Sequence, residues 1–164
     1  MAVKPPNPFV TAAAIAAAQR DVVHPMNPDA IRHTACISDM AGMQATGMGV
    51  HKVDLAPGVE STVLHAHAGE SEWVYVLSGA ATLVLAFAGE VEERAVAPGD
   101  FIGLPAGPMG TTYAHLLRAG PHGVSYLLGG DRRALDVISY PAHQGEGERT
   151  LVIAGGEEVC LAPV

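Results

Sequence analysis

From Gly47 to Leu128 the chain is a succession of short apolar runs, each interrupted within a few residues by glycine, proline or aspartate. Val50–Leu55 stops at Ala56-Pro57-Gly58, Ser61–Ala66 leads into Ala68-Gly69-Glu70, and Glu72–Leu77 stops at Ser78-Gly79. Ala81–Phe87 ends at Ala88-Gly89, Val91–Val96 at Ala97-Pro98-Gly99-Asp100, and Phe101–Leu104 at Pro105-Ala106-Gly107. Tyr113–Leu117 and Val124–Leu128 complete the series. Such runs are too short for packed helices and suit strands, and several of them at this spacing predict an all-β sandwich or barrel. No long helical pattern alternates with them, so a doubly wound α/β fold is excluded.

The flanks differ in texture. Residues 1–44 read as an irregular N-terminal arm, with a short Ala-rich helix over Thr11–Arg20 that His24-Pro25-Met26-Asn27-Pro28 breaks. Phe9–Ala18 after Lys4 faintly imitates a secretory signal, but Pro5, Pro6 and Pro8 crowd its start, and a helix in the arm is the reading adopted. Residues 45–141 form the barrel. Residues 142–164 form a tail whose Thr150–Ile153 and Val159–Leu161 predict a terminal hairpin, docked on the barrel or on a second subunit because an isolated hairpin is unstable in water.

With 164 residues, the chain is long enough for one domain and a buried core. Nine Lys and Arg against 17 Asp and Glu leave a net charge of −8, which opposes binding to a phosphate backbone. No apolar run is long enough to cross a membrane, and Cys36 and Cys160 are read as free thiols. Together these features predict a cytoplasmic protein that binds neither nucleic acid nor membrane.

The chemistry concentrates in histidines. His65 and His67 lie two apart, so in a strand both imidazoles share one face, and Glu72 follows across a short turn. Two imidazoles and a carboxylate on one side of a hairpin suit a transition metal, and His115 is the best-placed fourth ligand from another strand. His51 and Tyr113 are candidates for the pocket wall or for orienting a ligand imidazole. Glu70, in the intervening loop, is a candidate general base, although a solvated loop acid is the plainer reading. His24, His33, His122 and His143 are read as surface residues. No phosphate-cradling glycine loop, nucleophile elbow or CxxC pair is present.

Gly58-(six residues)-His65-x-His67-(four)-Glu72-(six)-Gly79 resembles the first signature of the cupin superfamily, and Gly99-Asp100-(four)-Pro105-x-Gly107 followed by Ala114-His115 resembles the second. The likeness extends over about Met48 to Pro141 and is to small single-domain cupins. It implies an antiparallel jelly-roll β-barrel, usually dimeric, with His65, His67, Glu72 and His115 holding one divalent metal (Fe, Mn, Zn or Ni). Three departures stand out. Six residues rather than five separate Gly58 from His65, the loop Pro108–Tyr113 delays the final histidine, Gly110 standing where the family places it, and Ala119 stands where the family commonly has Asn four residues after that histidine. The functions implied are those of a metal-dependent enzyme on a small organic substrate, a dioxygenase or an isomerase. The alternative is a non-catalytic module that binds a small molecule or metal. A transcription regulator is disfavoured by the short arm and the acidic charge.

Overall fold

A computed structural model describes residues 7–108, 111–141, 149–154 and 157–160. Antiparallel strands dominate it, arranged as two sheets in a jelly-roll architecture of the expected all-β class. The larger sheet has the order β1-β2-β3-β8-β5-β6, with β7 also paired to β5. Its strands are β1 (Arg20–His24), β2 (Asn27–Cys36), β3 (Met48–Leu55), β5 (Glu72–Phe87), β6 (Glu90–Val96), β7 (Phe101–Leu104) and β8 (Ala114–Asp131). The smaller sheet has the order β11-β10-β9-β4, from β4 (Ala66–His67), β9 (Leu135–Tyr140), β10 (Arg149–Ala154) and β11 (Glu157–Cys160).

The short helix of the arm is present as α1 (Ala12–Ala18), capped by the Thr11 hydroxyl, which accepts from the Ala14 N–H at 3.1 Å. The rest of the arm departs from expectation. Residues 20–36 form a hairpin that extends the larger sheet through β3, with His33 opposite Asp54 and Cys36 opposite His51. His24-Pro25-Met26-Asn27 is the turn of that hairpin: Pro25 presets its φ, and His24 Nδ1 accepts from the Met26 N–H at 3.2 Å. A second short helix, α2 (Ile37–Met40), leads back towards β3. In the tail, β10 and β11 do form a hairpin, and it docks on this chain's own β9. Leu161 and His143 lie outside the described residues.

Two expected pairs of strands are single long strands. The runs Glu72–Leu77 and Ala81–Phe87 join as β5, and Tyr113–Leu117 and Val124–Leu128 join as β8. Ser78-Gly79 is not a chain reversal but a register shift within β5. Gly79 has φ of 78° and approaches the Gly123 carbonyl so closely that a Cβ would lie 2.3 Å from its oxygen. The expected strand Ser61–Ala66 is bowed, bridging β8 at Glu60 and His65 before pairing with β9 as β4.

The core fills the space between the sheets. Val53, Val76, Leu117, Val124 and Tyr126 form its main cluster, drawn from β3, β5 and β8, with Tyr126 and Val76 each 1% exposed. Ile138 and Tyr140 of β9, with Met26 and Val63, close the other side. Burying this apolar surface from strands remote in sequence is what holds the two sheets face to face.

Candidate metal centre

The metal-binding constellation is built by pairing. His65 and His115 are directly opposite each other across an isolated bridge, with His115 N donating to the His65 carbonyl at 2.8 Å, and their rings come to 4.6 Å. His67, two residues on, projects on the same side as His65, its ring 4.8 Å away. Glu72 begins β5, where strict alternation turns Glu72, Val74 and Val76 inward and leaves Tyr75 and Leu77 exposed. Opposite Glu72 stands Gly130, where a Cβ would meet the Ser71 carbonyl oxygen at 2.5 Å and the Glu72 Cα at 3.2 Å. Glycine there lets the ligand strand seat.

One ligand atom from each of His65, His67, Glu72 and His115 lies within 4.8 Å of the others. The loop Pro108–Tyr113 therefore does not displace His115. Each imidazole is held through Nδ1. His65 donates to the Val63 carbonyl at 2.9 Å, His115 lies 3.4 Å from the Tyr113 carbonyl, and His67 is 2.5 Å from Asp136 Oδ2. Protons on Nδ1 leave the Nε2 lone pairs facing one another, as metal ligation requires.

Electrostatics agrees with this arrangement. Burial, then the neighbouring His115 and His67, hold the His65 imidazole well below its ordinary pKa, so it is neutral. Burial of Glu72 opposes its charge. The three imidazoles that face it, His115 Nε2 first at 3.2 Å, more than offset this when one of them takes up a second proton, lowering its pKa to about 2. His67 Nε2 is buried without a hydrogen-bond partner, 3.5 Å from Glu72 Oε2. An orphaned, inward lone pair beside an ionised carboxylate is what a cation would satisfy, so the residues fit a divalent transition metal, as this mixed imidazole and carboxylate set suits several of them.

Asp136, which sequence reading missed, completes the support. It is 2% exposed on β9, and its second oxygen accepts from the Gly69 N–H at 2.7 Å. The available signal was an acid at an inward position of the alternating run Leu135–Tyr140. His67, Glu70 and Asp136 also cluster, but Asp136 is committed to His67 and Gly69, and Glu70 accepts from the Arg133 N–H at 2.5 Å. That contact holds Glu70 outside the metal cavity, so a general-base role is not available to it there.

The other candidates fall elsewhere. His51 makes no hydrogen bond to the four ligands; it lines a neighbouring cavity with Glu72, Leu128 and Arg132. Tyr113 is half exposed, rests on Phe87 at 5.3 Å, and lines an adjoining cavity together with His67 and His115. His33 and His122 are exposed, as expected, but His24 is buried at 7% exposure, because its ring packs edge-on against Tyr140 at 6.2 Å. The metal cavity has a volume of about 210 Å³. His24, Arg32, Tyr126, Ile138 and Tyr140 line it together with the ligands.

A family model of the cupin domain matches residues 51–117. Among solved structures, a protein from Acidithiobacillus ferrooxidans, provisionally assigned as a sugar phosphate isomerase, is 34% identical. The match covers 93% of this chain and 90% of that one, with a TM-score of 0.79. The chain belongs to the cupin superfamily. A second cupin, a sugar phosphate isomerase from Silicibacter pomeroyi, is 25% identical over 78% of this chain and 74% of that one, with a TM-score of 0.65. Oxalate decarboxylase from Bacillus subtilis, at 20% identity and a TM-score of 0.52, shares the fold over 71% of this chain and 28% of its own. No curated protein matches the chain.

Among the described residues no helix is long and apolar enough to cross a membrane. Cys36 is a free thiol.

Proposed function

We propose that this cupin is a metal-dependent enzyme of isomerase type, acting on a small polyoxygenated carbonyl compound. The observation that carries the reading is the convergence of three Nε2 lone pairs and an ionised Glu72 on the wall of a cavity of about 210 Å³. The likeness to two proteins named as sugar phosphate isomerases directs the choice of reaction. His65, His67, Glu72 and His115 would hold the ion. A bound divalent cation supplies Lewis-acid polarisation of a carbonyl and its neighbouring oxygen, which acidifies the intervening C–H.

The chain's own residues do the rest. Val63, Asp136 and the Tyr113 carbonyl hold the imidazoles in one tautomer. His24, whose Nδ1 is occupied by the Met26 N–H, presents its remaining N–H as a donor. Burial, chiefly, keeps the Tyr126 phenol protonated, so it too can donate to a substrate oxygen. Val74, Leu83, Leu104, Leu128 and Ile138 exclude water from the remainder of the wall. Trp73 does not seal the cavity; it stacks outward on Phe101 at 6.1 Å.

The decisive experiment is metal analysis of protein purified without chelator or nickel resin, followed by incubation with aldose and ketose phosphates in deuterated water. The reading expects about one transition-metal ion per chain and metal-dependent deuterium incorporation next to the carbonyl. Metal-free protein, or metal with no exchange into any such compound, defeats it. The same reading makes the protein a cytoplasmic homodimer. The exposed Tyr75, Leu77 and Phe101 of neighbouring β5 and β7 offer an apolar surface for the contact, and light scattering showing a monomer at micromolar concentration would refute the dimer.

A further inference from the structure

We propose that Arg32 is the anion-binding residue of the metal cavity, and that the substrate therefore carries a phosphate or carboxylate group away from the oxygens that face the metal ligands. The inference deepens the proposed function and rests on it only for the word substrate; the anion site stands on its own observations.

Arg94, Arg118, Arg132 and Arg133 each sit against a carboxylate. Arg32 makes no ion pair and no hydrogen bond among the described residues, and its Nε is buried without a partner. It lines the same cavity as His65, His67, Glu72 and His115. The one carboxylate among the cavity's lining residues, Glu72, lies 3.2 Å from His115 Nε2 and 3.5 Å from His67 Nε2 and is not paired with Arg32. The groups that feel the Arg32 charge are His24, His51 and Tyr126, none of them an anion at neutral pH. Both histidines are pushed below their ordinary values, by burial first, with Arg32 contributing.

A partly desolvated guanidinium with no counter-charge costs stability, and nothing among the described residues recovers it. A planar five-donor fork is suited to a carboxylate or a phosphate, which would satisfy the orphan Nε–H. Because the cavity is small, an anion on Arg32 and oxygens at the imidazole cluster can belong to one compact molecule. Arg32 lies on β2, outside the residues 51–117 that match the cupin family, so the hairpin of the arm supplies this group to the site.

The test compares wild-type protein with Arg32→Met and Arg32→Lys, each zinc-free and zinc-loaded, by amide NMR during titration with inorganic phosphate and, separately, acetate. In the zinc-free wild type, saturable shifts are expected at residues 24, 32 and 126. Arg32→Met should weaken binding at least tenfold, and Arg32→Lys should retain part of it. Tighter phosphate identifies a phosphorylated substrate and tighter acetate a carboxylate; either supports the proposal. It is overturned if neither anion shifts these amides, or if Arg32→Met binds within twofold of wild type. Melting provides the control for folding. Arg32→Met loses no partner among the described residues and should melt at or above the wild-type temperature, and a drop of more than about 5 °C would mark the arginine as structural and end the proposal. Failure to bind zinc with the anion response intact would remove the proposed metal chemistry and leave the anion site.

Discussion

Replacing Asp136 by asparagine tests the claim that the metal centre is set by its supporting contacts as much as by its ligands. In the native protein the two oxygens of Asp136 accept from His67 Nδ1 and from the Gly69 N–H. Asparagine is nearly isosteric but offers one acceptor, so one of the two donors is left unpaired at a site only 2% exposed. An unsatisfied buried donor costs about 1–3 kcal/mol, which is the expected loss of stability in metal-free protein. The charge that favours the Nδ1–H tautomer of His67 disappears as well. Loss of such a partner typically weakens metal binding by about 10–100-fold, which corresponds to about 1.4–2.7 kcal/mol. Competition for zinc against a chromogenic chelator measures the second quantity, and thermal melts of the zinc-free and zinc-loaded proteins measure the first. If Asp136→Asn lowers the zinc-free melting temperature but binds zinc within twofold of wild type, Asp136 is a structural residue and the argument from tautomer control is wrong.

Three further outcomes follow from the geometry. Gly130→Ala places a Cβ against the Ser71 carbonyl and should push Glu72 out of the cluster, reducing bound metal per chain while a folded β-rich circular dichroism spectrum remains. Leu117→Ala, at a position 4% exposed in the main core, should cost about 2–5 kcal/mol in urea unfolding without changing metal stoichiometry. His24 has its folded-state pKa lowered, so its contribution to stability is complete above the ordinary histidine value of 6.5 and is lost as pH falls from there towards the lower folded value. Chemical denaturation of His24→Gln between pH 7.5 and 5 should show a shallower loss than wild type; an identical slope would contradict this.

The strands of the barrel were legible because turn residues punctuate them, and the first ligand cluster because His65, His67 and Glu72 lie close in sequence. What was not legible has physical reasons. Ser78-Gly79 and Gly120–Gly123 look like reversals, yet within a sheet the same glycines allow a register shift, and only cross-strand pairing decides between the two. His24-Pro25-Met26-Asn27 looks like a helix break because proline ends helices, yet in the fold it closes a hairpin. The run Leu135–Tyr140 carries Asp136 and Ser139, which dilute its apolar alternation, and the acid is tolerated inside only because His67 and Gly69 meet it there.

The division of labour within the chain bears on how such proteins diverge. All four candidate ligands fall within residues 51–117, on segments locked together by the pairing of β8 with β5 and the bridge from His65 to His115. Val74, Leu83 and Leu104 of the cavity wall also lie in that span, whereas His24, Arg32, Tyr126, Ile138 and Tyr140 lie outside it. The latter come from a hairpin at one end of the chain and from strands near the other. Altering the hairpin would change the cavity lining without breaking a strand pairing of the ligand segments, because β1 and β2 hydrogen-bond to their sheet only through β3, although His24 packs on Tyr140, which stacks on His65. Two cupins can therefore share an intact ligand set and act on different substrates. If Arg32 binds an anion as proposed, it constrains the substrate of this chain more sharply than the metal would.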